Sequence, residues 1–177
     1  MKRFFLTSIL LLCFSSTGLP VSLVLDNTPC QVYFSPNGGC TEAIVREIGQ
    51  AKNEVLVQAY SFTSKEIAEA VVNAHKRGVK VTVVLDRSQL KEQYSAANFL
   101  ANAGIQTYID SQHKIAHNKV IIIDEETVIG GSFNYSRAAE DSNAENVTII
   151  KNKDFAKLFV ANWHEHQKHS QPVAAKY

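Results

Sequence analysis

The chain has 177 residues, of which 45% are hydrophobic and 20% charged, and its formal net charge at pH 7 is +1. This length and composition are typical of one globular domain with a sizeable core, and they exclude a low-complexity chain. The near-neutral charge also excludes a globally basic nucleic-acid binder, so any phosphate-binding surface must be local.

The N-terminus has the pattern of a signal peptide. Lys2 and Arg3 precede an apolar stretch from Phe4 to Phe14, and small residues follow that stretch. The stretch is too short for a comfortable transmembrane span, although an uncleaved anchor is the alternative. We therefore predict a signal peptide at 1–22, a single domain at 23–177, and export to the periplasm or the medium. Cleavage would leave 16 of the 18 basic residues against 17 acidic ones, a net charge of −1.

Two cysteines, Cys30 and Cys40, remain in the predicted mature chain. A pair of cysteines in an exported protein is typical of one disulfide, which here would close the loop from Gln31 to Gly39. Two free thiols are the alternative. A metal site would need more ligands than this pair offers.

Strand and helix patterns alternate through the first two thirds of the chain. Apolar runs bounded by turn residues predict strands at 31–34, 55–60, 81–85 and 106–109. Helical spacing of apolar residues predicts helices between these strands, with Thr41 and Ser64 as N-caps of the first two. This alternation predicts an α/β fold with a mostly parallel mixed sheet flanked by helices. A later strand is predicted at 146–150, a last helix at 154–169 and a disordered tail at 170–177.

The central motif of the chain comprises, in order, His117, Lys119, Asp124, Gly131, Ser132 and Asn134. The segment 120–123 is apolar and β-branched, as expected of a buried strand. Because side chains alternate along a strand, His117 and Lys119 should share one side, as should Ser132 and Asn134 on a return strand. Such a hairpin gathers an imidazole, an ammonium, a hydroxyl and an amide at one end of a sheet. This set suits attack on an anionic phosphorus centre.

The spacing His-x-Lys-x4-Asp-x6-Gly-Ser-x-Asn resembles the signature of the phospholipase D superfamily, and the match is complete across the motif. From about Val32 to Trp163 the chain is similar to the small bacterial endonucleases of that superfamily, which carry one copy of the motif. The resemblance implies a single phospholipase D-like domain and a phosphodiester hydrolase that uses neither a metal nor another cofactor.

The resemblance also implies a mechanism. His117 would attack phosphorus and form a covalent phosphohistidine, while Lys119, Ser132 and Asn134 would surround the phosphate with donors. The residues alone leave Glu145, Glu140 and Asp141 open as the partner that orients the histidine, and the resemblance selects Glu145. A second histidine must protonate the leaving oxygen, so two chains should form a homodimer that shares one active site. Asp124 and Gly131 are assigned supporting roles outside the direct chemistry.

Three hypotheses for function follow from these patterns. The first is a non-specific endonuclease that acts on DNA, with RNA as a further substrate. The second is a phospholipase D, because the chemistry acts on the phosphodiester whatever is attached to it. The third is a nucleic-acid-binding module without activity, which the complete motif makes the weakest of the three.

The remaining histidines carry no motif of their own. His164, His166 and His169 lie on the last predicted helix without the i, i+4 pairing typical of a zinc site, so we interpret them as solvated. His113 is interpreted as an ordinary loop histidine.

Overall fold

The structure is a computed structural model that describes residues 21–175. Nearly all of the predicted signal peptide therefore lies outside the described residues. Within residues 21–175, no helix is long and apolar enough to cross a membrane.

One sheet organises the described chain. Its strands are β1 (Cys30–Phe34), β2 (Glu54–Ala59), β3 (Lys80–Asp86), β4 (Gln106–Asp110), β5 (Lys119–Ile123), β6 (Thr127–Gly131), β7 (Asn146–Lys151) and β8 (Gln171–Pro172). The helices are α1 (Cys40–Gln50), α2 (Lys65–Lys76), α3 (Ala96–Asn102), α4 (Arg137–Asp141) and α5 (Lys153–Lys168), with a short 3-10 helix at Arg87–Leu90.

The sheet is mixed, as predicted, with the strand order β1-β7-β6-β5-β2-β3-β4-β8. Parallel pairing is confined to β2 with β3 and β3 with β4, and the other five pairs are antiparallel. The expectation of mainly parallel pairing thus holds only for β2, β3 and β4. The reason is that the chain after β4 adds β5, β6 and β7 as antiparallel neighbours, which need no crossover helix.

Helices cover both faces of the central strands. Residues of α1, α2 and α3 form one core with the sheet face that carries Ile121 and Ile123. On the opposite face α5 packs its buried Trp163 over Ile122, and the Trp163 indole donates a hydrogen bond of 2.9 Å to the carbonyl of Val57. The strand β5 is therefore buried on both faces, which its apolar sequence predicts.

The N-terminus of α1 is capped by a distant residue rather than by Thr41. The helix begins after Gly39, which has a φ of 75° and no side chain to cap with. The Glu140 carboxylate of α4 accepts hydrogen bonds from the backbone nitrogens of Gly39 at 3.0 Å and Thr41 at 2.7 Å. A carboxylate suits this place because it satisfies free N–H groups and faces the positive end of the helix dipole. The Ser64 cap of α2, in contrast, is confirmed by its hydrogen bond from the Ile67 nitrogen.

The predicted disulfide is not formed in the structure, where Cys30 and Cys40 are both free. Cys30 begins β1, whereas Cys40 begins α1 beyond the opposite end of that strand. The two side chains also differ in environment, since Cys30 is exposed and Cys40 is buried.

The C-terminal tail is ordered where we predicted disorder. Gln171 and Pro172 pair with Ile109 and Tyr108 of β4, and the Val173 nitrogen donates to the carbonyl of Thr107 at 2.8 Å. The unpaired edge of β4 therefore gains a strand, which covers backbone groups that would otherwise be free. Residues 176 and 177 lie outside the described part of the chain.

Candidate active site

The ends of several strands meet at one edge of the sheet, and the motif residues other than Asp124 lie there. The strand β5 starts at this edge with Lys119, and β6 reaches it with Gly131. Because β5 runs antiparallel to β2, the C-terminal ends of β2, β3 and β4 lie at the same edge. The sheet therefore places the motif beside Asp86 and Asp110, the last residues of β3 and β4.

His117 and Lys119 are held on one side by a tyrosine that no sequence pattern indicated. The Tyr60 ring centroid lies 4.7 Å from that of His117 and 5.0 Å from the Lys119 Nζ. Nζ also donates a hydrogen bond of 2.7 Å to the carbonyl of His117. Since both side chains contact Tyr60, they lie on the same side, as their spacing predicts. The imidazole is exposed at the edge, whereas Lys119 is 5% exposed.

Lys119 is a buried cation with one acidic neighbour. Burial lowers the pKa of Lys119, and the negative charge of Glu145 partly opposes that shift. The Glu145 carboxylate accepts a hydrogen bond of 3.2 Å from the Asn143 amide. Within residues 21–175, Glu145 makes no hydrogen bond to His117, so its role in orienting the histidine stays a prediction. In the structure, Glu145 interacts electrostatically with Lys119.

Gly131 and Ser132 are fixed by the start of β7. A Cβ atom on Gly131 would lie 2.2 Å from the carbonyl oxygen of Asn146, and Gly131 has a φ of 145°. Only glycine fits this close approach. The Ser132 Oγ accepts hydrogen bonds from the Asn146 nitrogen at 3.1 Å and Nδ2 at 3.3 Å. These bonds leave the hydroxyl proton of Ser132 available to a phosphate oxygen.

Asn134 has a side-chain oxygen without a partner in the described part of the chain. Its buried Oδ1 makes no hydrogen bond to any residue from 21 to 175. The neighbouring Tyr135 anchors this segment, since its nitrogen donates to the carbonyl of Ser61 at 3.1 Å. A buried acceptor without a partner is costly, and it marks a place where a bound donor such as water can be satisfied.

Asp124 lies at the far end of β5 and supports the fold. Its carboxylate accepts hydrogen bonds from the backbone nitrogens of Lys52, Asn53 and Glu54 at 2.9, 2.7 and 2.9 Å. Burial alone would raise the pKa of Asp124, but these three hydrogen bonds outweigh it and lower the pKa. Asp124 therefore fixes the turn between α1 and β2, about 13 Å of strand away from the start of β5.

Asp86 is a positioning residue that sequence reasoning missed. It is buried, and its carboxylate accepts hydrogen bonds from the nitrogens of Ser88 at 2.8 Å and Ala116 at 2.7 Å. The first bond is an N-cap visible in the sequence Asp86-Arg87-Ser88. The second spans thirty residues and fixes the residue before His117, which only the folded sheet reveals.

Two concave surfaces lie at this edge, and His117 lines the first of them. One is an apolar pocket of about 300 Å³ that His117 and Lys119 share with Phe155 and Phe159 of α5. The other, which we call the basic groove, has about 590 Å³ and begins at Tyr60. Its further lining residues include three cations, Arg87, Lys91 and Lys114, and the apolar Leu90 and Ile115.

The interpretation of His166 and His169 as solvated is wrong, whereas His113 lies in a loop and is exposed, as expected of a loop histidine. All three imidazoles approach the buried Asp110, and the four ligand atoms lie within 4.8 Å of one another. His164, on the same helix, is exposed as predicted.

Comparison with known proteins identifies the family of this site. Residues 44–166 match the family model of the cardiolipin synthase phospholipase D-like domain. The chain is 44% identical over 139 residues to a protein named phospholipase D from Rickettsia conorii, covering 78% of this chain and 70% of that one. It is 30% identical to the mitochondrial cardiolipin hydrolase of Mus musculus, covering 75% of this chain and 59% of that protein.

A solved structure agrees with these matches. The fold superposes on Nuc from Salmonella typhimurium, described as a phospholipase D family member, with a TM-score of 0.81 and 38% identity. The superposition covers 84% of this chain and 99% of Nuc. The motif, the sheet and the family match agree, and this chain belongs to the phospholipase D superfamily, with the phosphodiesterase site of that superfamily.

Proposed function

We propose that this protein is an exported phosphodiesterase that cleaves DNA, and also RNA, without a metal ion in the reaction. One observation supports this most directly: Tyr60, whose ring lies against the exposed His117 and the buried ammonium of Lys119, also lines a groove with three cations. The imidazole supplies the nucleophile and the cations bind successive phosphates of a nucleic-acid strand. The N-terminal pattern of residues 1–22 is the basis for export.

The reaction has two displacements at phosphorus. In the first, a His117 ring nitrogen forms a bond to phosphorus, and the bond from phosphorus to the leaving oxygen breaks. An imidazolium protonates that oxygen as it leaves. In the second displacement, the imidazole that protonated the leaving oxygen is neutral and takes a proton from water. The water oxygen then forms a bond to phosphorus as the bond from phosphorus to His117 breaks. The products are an alcohol and a phosphomonoester.

Three groups stabilise the charge that builds up on the nonbridging oxygens. Lys119 supplies a full positive charge in a site shielded from water, where it acts more strongly than in solution. The Ser132 hydroxyl and the Asn134 Nδ2 supply neutral donors from the loop that follows β6. These donors are fixed by the fold before substrate binds, so little reorganisation is needed in the transition state.

The second histidine comes, in this proposal, from another copy of the chain. The chain carries one copy of the motif, and the chemistry needs two imidazoles. Phe34, the last residue of β1, is an apolar side chain at the site edge with 67% exposure, and it lies outside the basic groove. A twofold axis through this edge would bury Phe34 and bring two His117 residues together.

A phospholipid is the second candidate substrate. The apolar pocket formed with Phe155 and Phe159 could accept part of an acyl or glycerol group beside the reacting phosphate. The names of relatives from Rickettsia and from mouse also favour a lipid. Against this, the three cations of the basic groove suit a polyanion better than one lipid phosphate.

The test follows supercoiled plasmid and labelled phosphatidylcholine and cardiolipin in parallel, with purified protein from residue 23 in excess chelator. Cleavage of plasmid that persists with chelator and disappears in His117→Ala is the expected result. Lipid turnover with intact plasmid would move the proposal to a phospholipase. No turnover of either would overturn the catalytic assignment, provided that circular dichroism shows a folded protein at the assay temperature.

Charge variants separate the two substrates more sharply. Arg87→Gln, Lys91→Gln and Lys114→Gln should each slow plasmid cleavage and reduce its dependence on salt, because each removes one phosphate contact. Lys76→Gln, at the end of α2 and away from the site edge, is the matched control. If plasmid cleavage keeps its rate and salt dependence when Arg87, Lys91 and Lys114 are all replaced by glutamine, the groove does not bind the nucleic-acid strand.

A further inference from the structure

Asp110, His113, His166 and His169 form a cluster that the proposed chemistry does not use. Asp110 ends β4, His113 lies in the following loop, and His166 and His169 lie at the C-terminal end of α5. The pattern is Asp-x2-His with His-x2-His, and i, i+3 spacing puts the two helical imidazoles on one side of the helix. Two segments far apart in sequence thus supply two ligands each.

The distances are those of a compact metal site. The Asp110 Oδ2 lies 2.7 Å from the His166 Nδ1, 3.1 Å from the His113 Nδ1 and 3.2 Å from the His169 Nε2. Tetrahedral zinc with bonds of about 2.0–2.1 Å separates neighbouring ligand atoms by about 3.3 Å. To admit the ion, the shortest contact would lengthen by about 0.6 Å and the ligand atoms that lie up to 4.8 Å apart would move closer together.

Hydrogen bonding alone does not account for this arrangement. Three imidazole nitrogens converge on one carboxylate oxygen, which has room for about two donors. The His169 Nε2 is buried at that point and makes no hydrogen bond within residues 21–175, although it lies 3.2 Å from Oδ2. Asp110 itself is fully buried. A cation at the centre would satisfy all four ligand atoms, including the one left without a partner.

We propose that these four residues bind one structural zinc ion that fixes the end of α5 to the loop leading into the active site. Three imidazoles and one carboxylate are a ligand set that zinc prefers. The loop 111–116 runs from Asp110 to His117, so the ion would hold the segment that carries the nucleophile. The same ion would secure β8, which follows His169 and pairs with β4. The proposal does not depend on which phosphodiester the enzyme cleaves.

Metal content of untagged protein tests the site directly. After incubation with zinc and dialysis, the wild-type chain should retain about one equivalent of zinc, and zinc should raise its Tm by about 5 °C or more. His113→Ala should abolish both effects while folding normally, because its side chain is 45% exposed and contributes little packing. His164→Ala on the exposed side of α5 and His117→Ala at the active site are matched controls that should keep the zinc.

A rescue variant distinguishes coordination from hydrogen bonding. His169→Ala should lose the zinc, whereas His169→Cys should retain it, because thiolate is a good zinc ligand. With cobalt in place of zinc, His169→Cys should gain a thiolate-to-metal absorption band that wild type lacks. Zinc retention that survives in His113→Ala, or that is absent from wild type, would overturn the proposal. So would equal zinc contents in the alanine and cysteine variants at position 169.

Discussion

At the scale of single residues, Glu145 is the side chain with two competing roles. The family resemblance implies that Glu145 orients His117. In the structure its negative charge instead raises the pKa of Lys119, and burial of Lys119 lowers that pKa. Glu145→Gln separates the two roles. Removing the carboxylate should lower the pKa of Lys119 further, so the alkaline limb of the activity profile should move to lower pH.

The measurement is the pH dependence of kcat for hydrolysis of a small phosphodiester. A displaced alkaline limb with an unchanged acidic limb would assign Glu145 to Lys119. Displacement of the acidic limb alone would instead assign it to the imidazole and contradict this expectation. Glu126→Gln, an exposed carboxylate at the other end of the hairpin, should leave both limbs in place.

Asp124 shows that a motif residue can serve stability alone. Asp124→Asn keeps the size of the side chain and tolerates its φ of 53°, but removes the charge that accepts three backbone hydrogen bonds. We expect a loss of about 2 kcal/mol in unfolding free energy at pH 7, with kcat unchanged in the folded state. Glu125→Gln, the exposed neighbour, should cost little.

The pH dependence of this loss has a definite sign. Because the folded-state pKa of Asp124 is lowered, its contribution is fully present above the unfolded-state pKa and disappears as pH falls through the folded-state pKa. Urea unfolding should therefore show the two proteins converging below about pH 4. A difference that stays constant between pH 7 and pH 3 would contradict a role for the charge.

At the scale of secondary-structure elements, the contact between the end of β6 and the start of β7 sets the loop that carries Ser132. Gly131→Ala should force these strands apart, since the new methyl group would meet the Asn146 carbonyl. We expect a loss of about 2 kcal/mol or more, together with reduced kcat, because Ser132 hydrogen-bonds to the same Asn146.

A second glycine gives the matched control. Gly49 lies in α1, and a methyl group added there would meet open space, so Gly49→Ala should stabilise by about 0.5–1 kcal/mol. Thermal unfolding of the two variants compares the same glycine-to-alanine change at a crowded backbone position and at an open one. If Gly131→Ala unfolds at the wild-type temperature with full activity, the close approach does not constrain the site.

The sequence predicts those features that a local pattern of residues encodes. Hydrophobic patterning located the strands and helices, and fixed spacing located His117, Lys119, Ser132 and Asn134. Features that depend on distant contacts were missed, because no local pattern encodes them. The Asp86 bond to Ala116, the capping of α1 by Glu140 and the convergence of three histidines on Asp110 all join segments far apart in sequence.

At the scale of the whole molecule, the sheet divides the chain into a stable body and a functional edge. Both faces of the central strands are covered by helices, while the edge that starts β5 carries an exposed imidazole, three groove cations and exposed apolar side chains. A monomer presents one nucleophile there and no second histidine of the motif. The proposed second copy would complete the chemistry and cover Phe34 at the same time.

Mixing experiments test that arrangement. If each active site needs His117 from both copies, a dimer that pairs wild type with His117→Ala should be inactive. After equal amounts are mixed and allowed to exchange, about a quarter of the dimers would be wild type, so activity should fall to about a quarter of that of the same total amount of wild type. Independent sites would instead retain about half. Sedimentation at the assay concentration checks that dimers form, and a monomer with full activity would contradict the shared site.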